Sequence, residues 1–253
     1  MSIQDLHSGK ILKKALFGLP PGMPVSARHL KEFGISRQLS YRYVKYGWLV
    51  PLGYGYFLRT GDRHTEVGAV ASLQENGVKV HIGGKSALGL RGFTHYLSPG
   101  GSVLTLYGGK TRKLPDWFMQ AYMVHLSNSS LFNEPEPLAE RLEVARFDDK
   151  PHAPYVSHPE RAVLELLDQV PRQHSLEETR LIMENLLSLR SKKVQMLLEV
   201  CKKVKVKRLF WHLAGELSLP VLKKLDKSLI DFGSSSDYTI PGDRTLVLKN
   251  PHG

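Results

Sequence analysis

Two short helical segments joined by a glycine turn, each with a serine placed to cap it, constrain this chain more than any other feature. Ser26 stands before Ala27 to Phe33 and Gly34 closes that segment; Ser36 stands before Arg37 to Tyr46 and Gly47 ends it. A serine oxygen satisfies the open N–H groups of a helix start, and glycine accepts the left-handed backbone at a helix end. Upstream, Ile3, Leu6, Ile11, Leu12, Ala15 and Leu16 predict a helix over Ile3 to Phe17, which Gly18-Leu19-Pro20-Pro21-Gly22 must terminate. Downstream, Trp48-Leu49-Val50 and Tyr54 to Leu58, separated by Pro51-Leu52-Gly53, read as a β-hairpin. Three helices followed by a hairpin are the winged helix-turn-helix plan.

The second short helix carries the sharper inference. At about 100° per residue, Arg37, Tyr41, Lys45, Gln38 and Arg42 fall within an arc of about 140°, with Leu39, Tyr43 and Tyr46 opposite. Arginine can bond guanine, glutamine adenine, and lysine, arginine or tyrosine a phosphate. An ordinary solvated face mixes signs, whereas Arg37 to Lys45 contains no acid. Arg37, Gln38, Tyr41, Arg42 and Lys45 are therefore the candidate DNA-binding residues, joined by Tyr54 of the hairpin. Five of the ten tyrosines lie between residues 41 and 56; Tyr43 and Tyr46 are expected in the core, Tyr41 and Tyr54 partly exposed.

Charge supports a polyanionic partner without proving one. The 253 residues hold 35 Lys+Arg against 24 Asp+Glu, a formal net charge of +11. Residues 1–63 carry +7, residues 134–184 carry −6 and residues 190–208 carry +7. Basic blocks attract phosphates and release their counterions, so Arg28, Arg59, Lys202, Lys203, Lys205, Lys207 and Arg208 stand as candidate phosphate contacts. No run approaches the ~18 apolar residues of a membrane helix, and no secretory leader pattern opens the chain. A single cysteine fits a reducing cytoplasm, and Cys201, on an apolar stripe, reads as a buried structural thiol.

Beyond the hairpin the pattern predicts an α+β fold. A helix is expected over Thr65 to Asn76, a strand over Val78 to Ile82, a helix over Lys85 to Leu90, and strands over Val103 to Tyr107, Ala121 to Leu126 and Leu142 to Phe147. From Pro159 the period becomes helical: a stripe through Ala162, Val163, Leu166, Leu167 and Val170, a capping box of Ser175 with Glu178 opening a helix to about Leu189, and stripes through Val194 to Val204 and Val206 to Leu217. Leu246 to Leu248 is expected to be a strand. The boundary expected from this is residues 1–62 for the winged helix-turn-helix domain and 63–253 for a larger mixed α+β domain with a helical C-terminal part.

Catalytic constellations are weak. Gly84-Lys85-Ser86 looks like the end of a phosphate-binding loop, but Lys79 stands where that motif needs its first glycine. Gly53-Tyr54-Gly55 begins a dinucleotide fingerprint whose third glycine is replaced by Leu58, and a hairpin turn explains it better. The eleven histidines, His81, His95 and His125 among them, lack zinc-ligand spacing. The enzyme reading worth retaining is a metal-dependent nuclease built from Glu143, Asp148 or Asp149, and Lys150, though no matched spacing supports it. No catalytic residue, metal or cofactor is expected.

Segments along most of the chain together carry a resemblance to a known family. They are His29-Leu30-Lys31-Glu32-Phe33-Gly34-Ile35-Ser36-Arg37-Gln38-Leu39, Gly47-Trp48-Leu49, Leu52-Gly53-Tyr54-Gly55-Tyr56 and Ala71-Ser72-Leu73-Gln74. Further on come Val80-His81-Ile82-Gly83-Gly84-Lys85-Ser86-Ala87-Leu88, His95-Tyr96-Leu97, Leu114-Pro115-Asp116-Trp117-Phe118, His158-Pro159-Glu160-Arg161-Ala162 and Val204-Lys205-Val206-Lys207-Arg208-Leu209-Phe210. Together these segments resemble the AbiEi-type antitoxins; the last twenty residues resemble that family less. The resemblance implies the antitoxin half of a type IV toxin–antitoxin system of phage defence. It further implies an N-terminal domain that binds repeats in its own promoter on double-stranded DNA and represses it. The larger domain would counter a nucleotidyltransferase-like toxin, with no stable complex, no membrane and no catalytic residue expected.

Overall fold

A computed structural model describes residues 3–17, 19–94, 103–108, 113–128, 130–132, 142–241 and 245–253. His95 lies outside the described residues. The chain opens with α1 (Ile3–Leu16), β1 (Val25–Ser26), α2 (Ala27–Glu32), α3 (Arg37–Lys45), β2 (Leu49–Gly53) and β3 (Tyr56–Arg59). It continues through α4 (Glu66–Glu75), β4 (Val80–Ile82), α5 (Gly84–Leu90), β5 (Leu104–Gly108), α6 (Asp116–Ala121), β6 (Val124–Ser127), β7 (Val144–Arg146) and β8 (Tyr155–Ser157). Then follow α7 (Pro159–Gln169), α8 (Leu176–Glu184), α9 (Ser191–Val200), α10 (Val204–Glu216), two 3-10 turns, β9 (Tyr238–Ile240) and β10 (Leu246–Leu248). The fold is mixed α+β, with an N-terminal winged helix-turn-helix ahead of a larger part.

Two compact units divide the chain. The first comprises Met1–Val80, Lys110–Val124 and Arg146–Tyr155, the second His81–Gly109, His125–Ala145 and Val156–Gly253. In the first, Leu12, Ala15, Leu30, Ile35, Tyr43, Leu49 and Phe57 bury one face of each winged-helix element in a common core. Ser26 and Ser36 cap as their positions require, accepting from the amides of His29 and Leu39 at 3.1 and 3.2 Å. The wing is a three-stranded sheet, order β1-β3-β2, because Val25 and Ser26 add an antiparallel strand against Phe57 and Tyr56. Two residues are too few to show a periodicity, so this strand is not visible in the sequence. The wing's turn is not at Pro51-Leu52-Gly53 but at the glycine pair that a hairpin turn explains. It lies at Gly53-Tyr54-Gly55, where φ is +119°, +49° and +78°, a left-handed run that flanking glycines make accessible. Pro51 instead continues β2, opposite Phe57.

In the second unit α7 is buried on every side, with Ala162, Val163, Leu164, Leu166 and Leu167 inaccessible to solvent. It packs against α5, α8, α9 and α10. The five-stranded sheet has the order β6-β5-β4-β8-β7, with β4 and β8 parallel. Three expected elements differ. Ala121 ends a helix, since Asp116 to Ala121 coil after Pro115 and the strand starts only at Val124. The strand around Leu142 is confined to Val144–Arg146, and the helix capped by Ser175 stops at Glu184. Towards the C-terminus β9 and β10 pair antiparallel, and Ile240 and Leu248 are buried.

Candidate nucleic-acid interface

The sequence of α3 sorts its side chains as helical phase requires. Tyr43 is inaccessible and stacks on Trp48 at 5.5 Å between ring centres. Arg37, Gln38, Tyr41, Arg42 and Lys45 are all exposed. The Arg37 guanidinium lies 5.8 Å from the Tyr41 ring, and that of Arg42 lies 5.9 Å from Tyr46 while donating to its hydroxyl at 3.4 Å. Tyr46 is therefore not the core residue expected: it is 45 % exposed, with its ring tilted against Trp48 at 5.8 Å between ring centres. The result is an exposed, acid-free surface of two arginines, a lysine, a glutamine and two phenols, pre-set by guanidinium–ring contacts.

Tyr54 stands at the wing tip, 81 % exposed. Its hydroxyl hydrogen-bonds Asp116, whose carboxyl is held below the usual range first by the Lys113 ammonium and then by this phenol. The wing is held at its turn and at its base: the Ala27 amide donates to the carbonyl of Gly55 in the turn at 2.6 Å, and Thr60 Oγ1, just after β3, donates to that of Gly47 at 2.7 Å. Lys79 and Lys113 line a cleft of about 700 Å³ beside Tyr54 and Tyr56. Neither lysine was among the sequence candidates, and a residue 59 positions from Tyr54 leaves no local signal.

The candidate phosphate contacts divide. Arg28 is exposed on α2. Arg59 bonds the Asp62 carboxylate at 2.9 Å and the Pro20 carbonyl at 3.1 Å, which fastens the end of β3 to the loop after α1. Lys202 is exposed. Lys203 pairs with Asp168 at 2.6 Å, and Lys205 donates to the Asp168 and Val170 carbonyls at 2.7 Å each. Lys207 and Arg208 correct the sequence expectation, being only 3 % and 2 % exposed. Arg208 donates to the carbonyls of Phe232, Ser234, Ser236 and Leu248. It is a structural cross-link for the C-terminal hairpin, unavailable to a phosphate.

The look-alike phosphate loop also has an internal occupant. The Gly84 amide donates at 3.0 Å to Glu165 Oε2, which accepts from Ser157 Oγ at 2.8 Å as well. Glu165 Oε1 accepts from His81 Nε2 at 2.9 Å and Arg161 Nε at 2.7 Å. Burial pushes this carboxyl upward, but Arg161 and His81 outweigh it and hold the pKa at about 2. A Cβ on Gly83 would lie 2.3 Å from Glu165 Oε2, so the glycines make room for a carboxylate. His81 belongs to this network, and His125 opens the β6 segment of the second unit.

The nuclease set does not assemble as a metal centre. Glu143 pairs with Arg190 and Lys193 at 2.6 Å each, and Asp148 accepts from the Lys150 amide at 3.0 Å. Among the described residues no three His, Cys, Asp or Glu side chains gather to hold a metal ion. Cys201 is 3 % exposed and burial raises its thiol pKa, as a structural thiol requires. Among the described residues no helix is long and apolar enough to cross a membrane.

Comparison with known proteins matches residues 9–99 to the family described as transcriptional regulator, AbiEi antitoxin N-terminal domain. Residues 101–244 match the family described as transcriptional regulator, AbiEi antitoxin, type IV TA system. No curated protein matches the sequence. Among solved structures, the crystal structure of the Rv2827c protein from Mycobacterium tuberculosis is similar at a TM-score of 0.53 and 13 % identity, over 92 % of this chain and 88 % of that one. That likeness concerns the fold.

Proposed function

The chain belongs to the AbiEi antitoxin family of type IV toxin–antitoxin systems, a family of transcriptional regulators, and from that premise we propose that it binds double-stranded DNA at repeats in its own promoter and represses it. The observation that carries this reading is the exposed, acid-free face of α3. Residues 1–62 supply the DNA contacts. Arg37, Gln38 and Tyr41, at the start of the helix, meet base edges, while Arg42, Lys45 and Arg28 meet phosphates. Tyr54 brings the wing to the backbone. Residues 63–253 counter a nucleotidyltransferase-like toxin without a lasting complex. The protein acts in the cytoplasm by binding, with no cofactor and no catalysis.

Titration of the promoter duplex with the full chain tests the first half of this proposal. Saturable binding in EDTA that leaves the duplex intact in magnesium is expected; cleavage that requires the divalent metal contradicts it and favours the nuclease. For the second half, Arg37→Ala with Lys45→Ala should lose promoter binding yet still protect toxin-expressing cells. Loss of protection in that variant, at normal protein levels, would assign the antitoxin role to the winged helix instead.

A further inference from the structure

The second unit holds a cavity of about 820 Å³ bounded by the end of α7, the start of α10, β6 and β9, within the range of small-molecule sites. Three cations reach it: Arg172, Lys203 and Lys205. Lys203 is paired with Asp168, whereas Lys205, among the described residues, hydrogen-bonds two backbone carbonyls, which leaves one of its three N–H donors beyond those two bonds. Burial, followed by the charges of Lys203 and Arg172, lowers the Lys205 pKa against the opposing pull of Asp168, so these cations act on one another. The same cavity meets the N-terminus of α10, thirteen residues long, with no side-chain cap and no acid in its first turn. Helix dipoles disfavour cations at that end and favour anions. A lysine-bearing, uncapped helix start beside two further cations is an arrangement that an anion would complete.

A second observation points to more than an anion. Gln169 lines the cavity and is 5 % exposed, yet its Oε1 has no hydrogen-bond donor among the described residues. The amide orientation is fixed, because Tyr107 donates its hydroxyl proton to the Glu165 carbonyl at 2.7 Å and so accepts from Gln169 Nε2 at 2.7 Å. A buried acceptor without a donor is costly, and a ligand N–H satisfies it. Tyr238, 40 % exposed, and His125 add rings at the cavity wall. We propose that this cavity is a nucleotide site, with the phosphates on Arg172, Lys205 and the α10 amides and an N–H donor of the base on Gln169 Oε1.

This site uses none of the winged-helix residues, so its test is separate from that of promoter binding. Calorimetric titration of the full chain with ATP is expected to give saturable one-site binding, with adenosine and inorganic phosphate each binding more weakly than ATP. Arg172→Ala and Lys205→Gln should each weaken ATP by about fivefold or more, with promoter affinity unchanged. Arg172 is exposed, so its variant reads the site even if Lys205→Gln fails to fold. Four results overturn the proposal: no saturable ATP binding to millimolar concentration, Arg172→Ala binding ATP as the wild type does, inorganic phosphate matching ATP, or displacement of ATP by a short DNA duplex.

Discussion

Replacing Glu165 by glutamine keeps the shape of a fully buried side chain and removes its charge, which makes it a direct probe of what holds the second unit together. The carboxylate receives His81, Arg161, Ser157 and the Gly84 amide. Glutamine cannot accept from all four, and Arg161 and His81 lose the charge that compensates their burial. Breaking a buried pair by removing one partner costs about 3–5 kcal/mol. The pH dependence gives an independent measure. The carboxyl pKa falls from 4.5 unfolded to about 2 folded, so the unfolded chain binds the proton first and the stabilisation is present above about pH 4.5. It corresponds to about 3 kcal/mol and is lost progressively as the pH falls towards 2. Urea unfolding of wild type and Glu165→Gln between pH 7 and pH 3 should therefore show the gap between them shrinking by about 2 kcal/mol. A variant within 1 kcal/mol of wild type at pH 7, or a gap that does not change with pH, would refute this account of the network.

Gly83→Ala should destabilise the same unit, because the new Cβ would meet Glu165 Oε2 at 2.3 Å and Tyr107 Cδ2 at 2.6 Å; thermal unfolding should show a loss of about 1–3 kcal/mol or more. Arg208→Met should cost about 3 kcal/mol or more by stranding buried carbonyls while leaving promoter affinity of the folded protein unchanged. Reduced affinity at full stability would return Arg208 to the DNA contacts. Promoter binding should weaken with salt, log K falling with a slope of about −2.7 against log salt if Arg28, Arg42 and Lys45 each hold one phosphate. A flat response from low to physiological salt would sink that assignment.

The parts of the fold written in local sequence were readable. Caps and glycines delimit α2 and α3, and phase alone separates Tyr43 from Arg37, Gln38, Tyr41, Arg42 and Lys45. What could not be read depends on distant partners. Val25 and Ser26 become a strand only because Tyr56 and Phe57 offer an edge. Arg208 is buried because carbonyls 24 to 40 residues later fold over it, whereas its local setting reads as a solvated basic run. Gly83 and Gly84 face a carboxylate 81 residues beyond Gly84, so the resemblance to a phosphate loop was a matter of local geometry with a different occupant. Tyr46 was misplaced by phase, since an angle on a helix does not say how far the neighbouring core extends.

The central claim is that α3 reads bases with its first turn and holds phosphate with its last. Binding titrations of the full chain on the promoter site and on a random duplex, for wild type, Arg37→Ala, Gln38→Ala and Lys45→Ala, test it most directly. All three side chains are exposed, so circular dichroism should show an unchanged fold. Arg37→Ala and Gln38→Ala are expected to cost about 1–3 kcal/mol on the promoter and much less on random DNA, and Lys45→Ala to weaken both alike. Equal losses on the two duplexes for all three variants would contradict the claim.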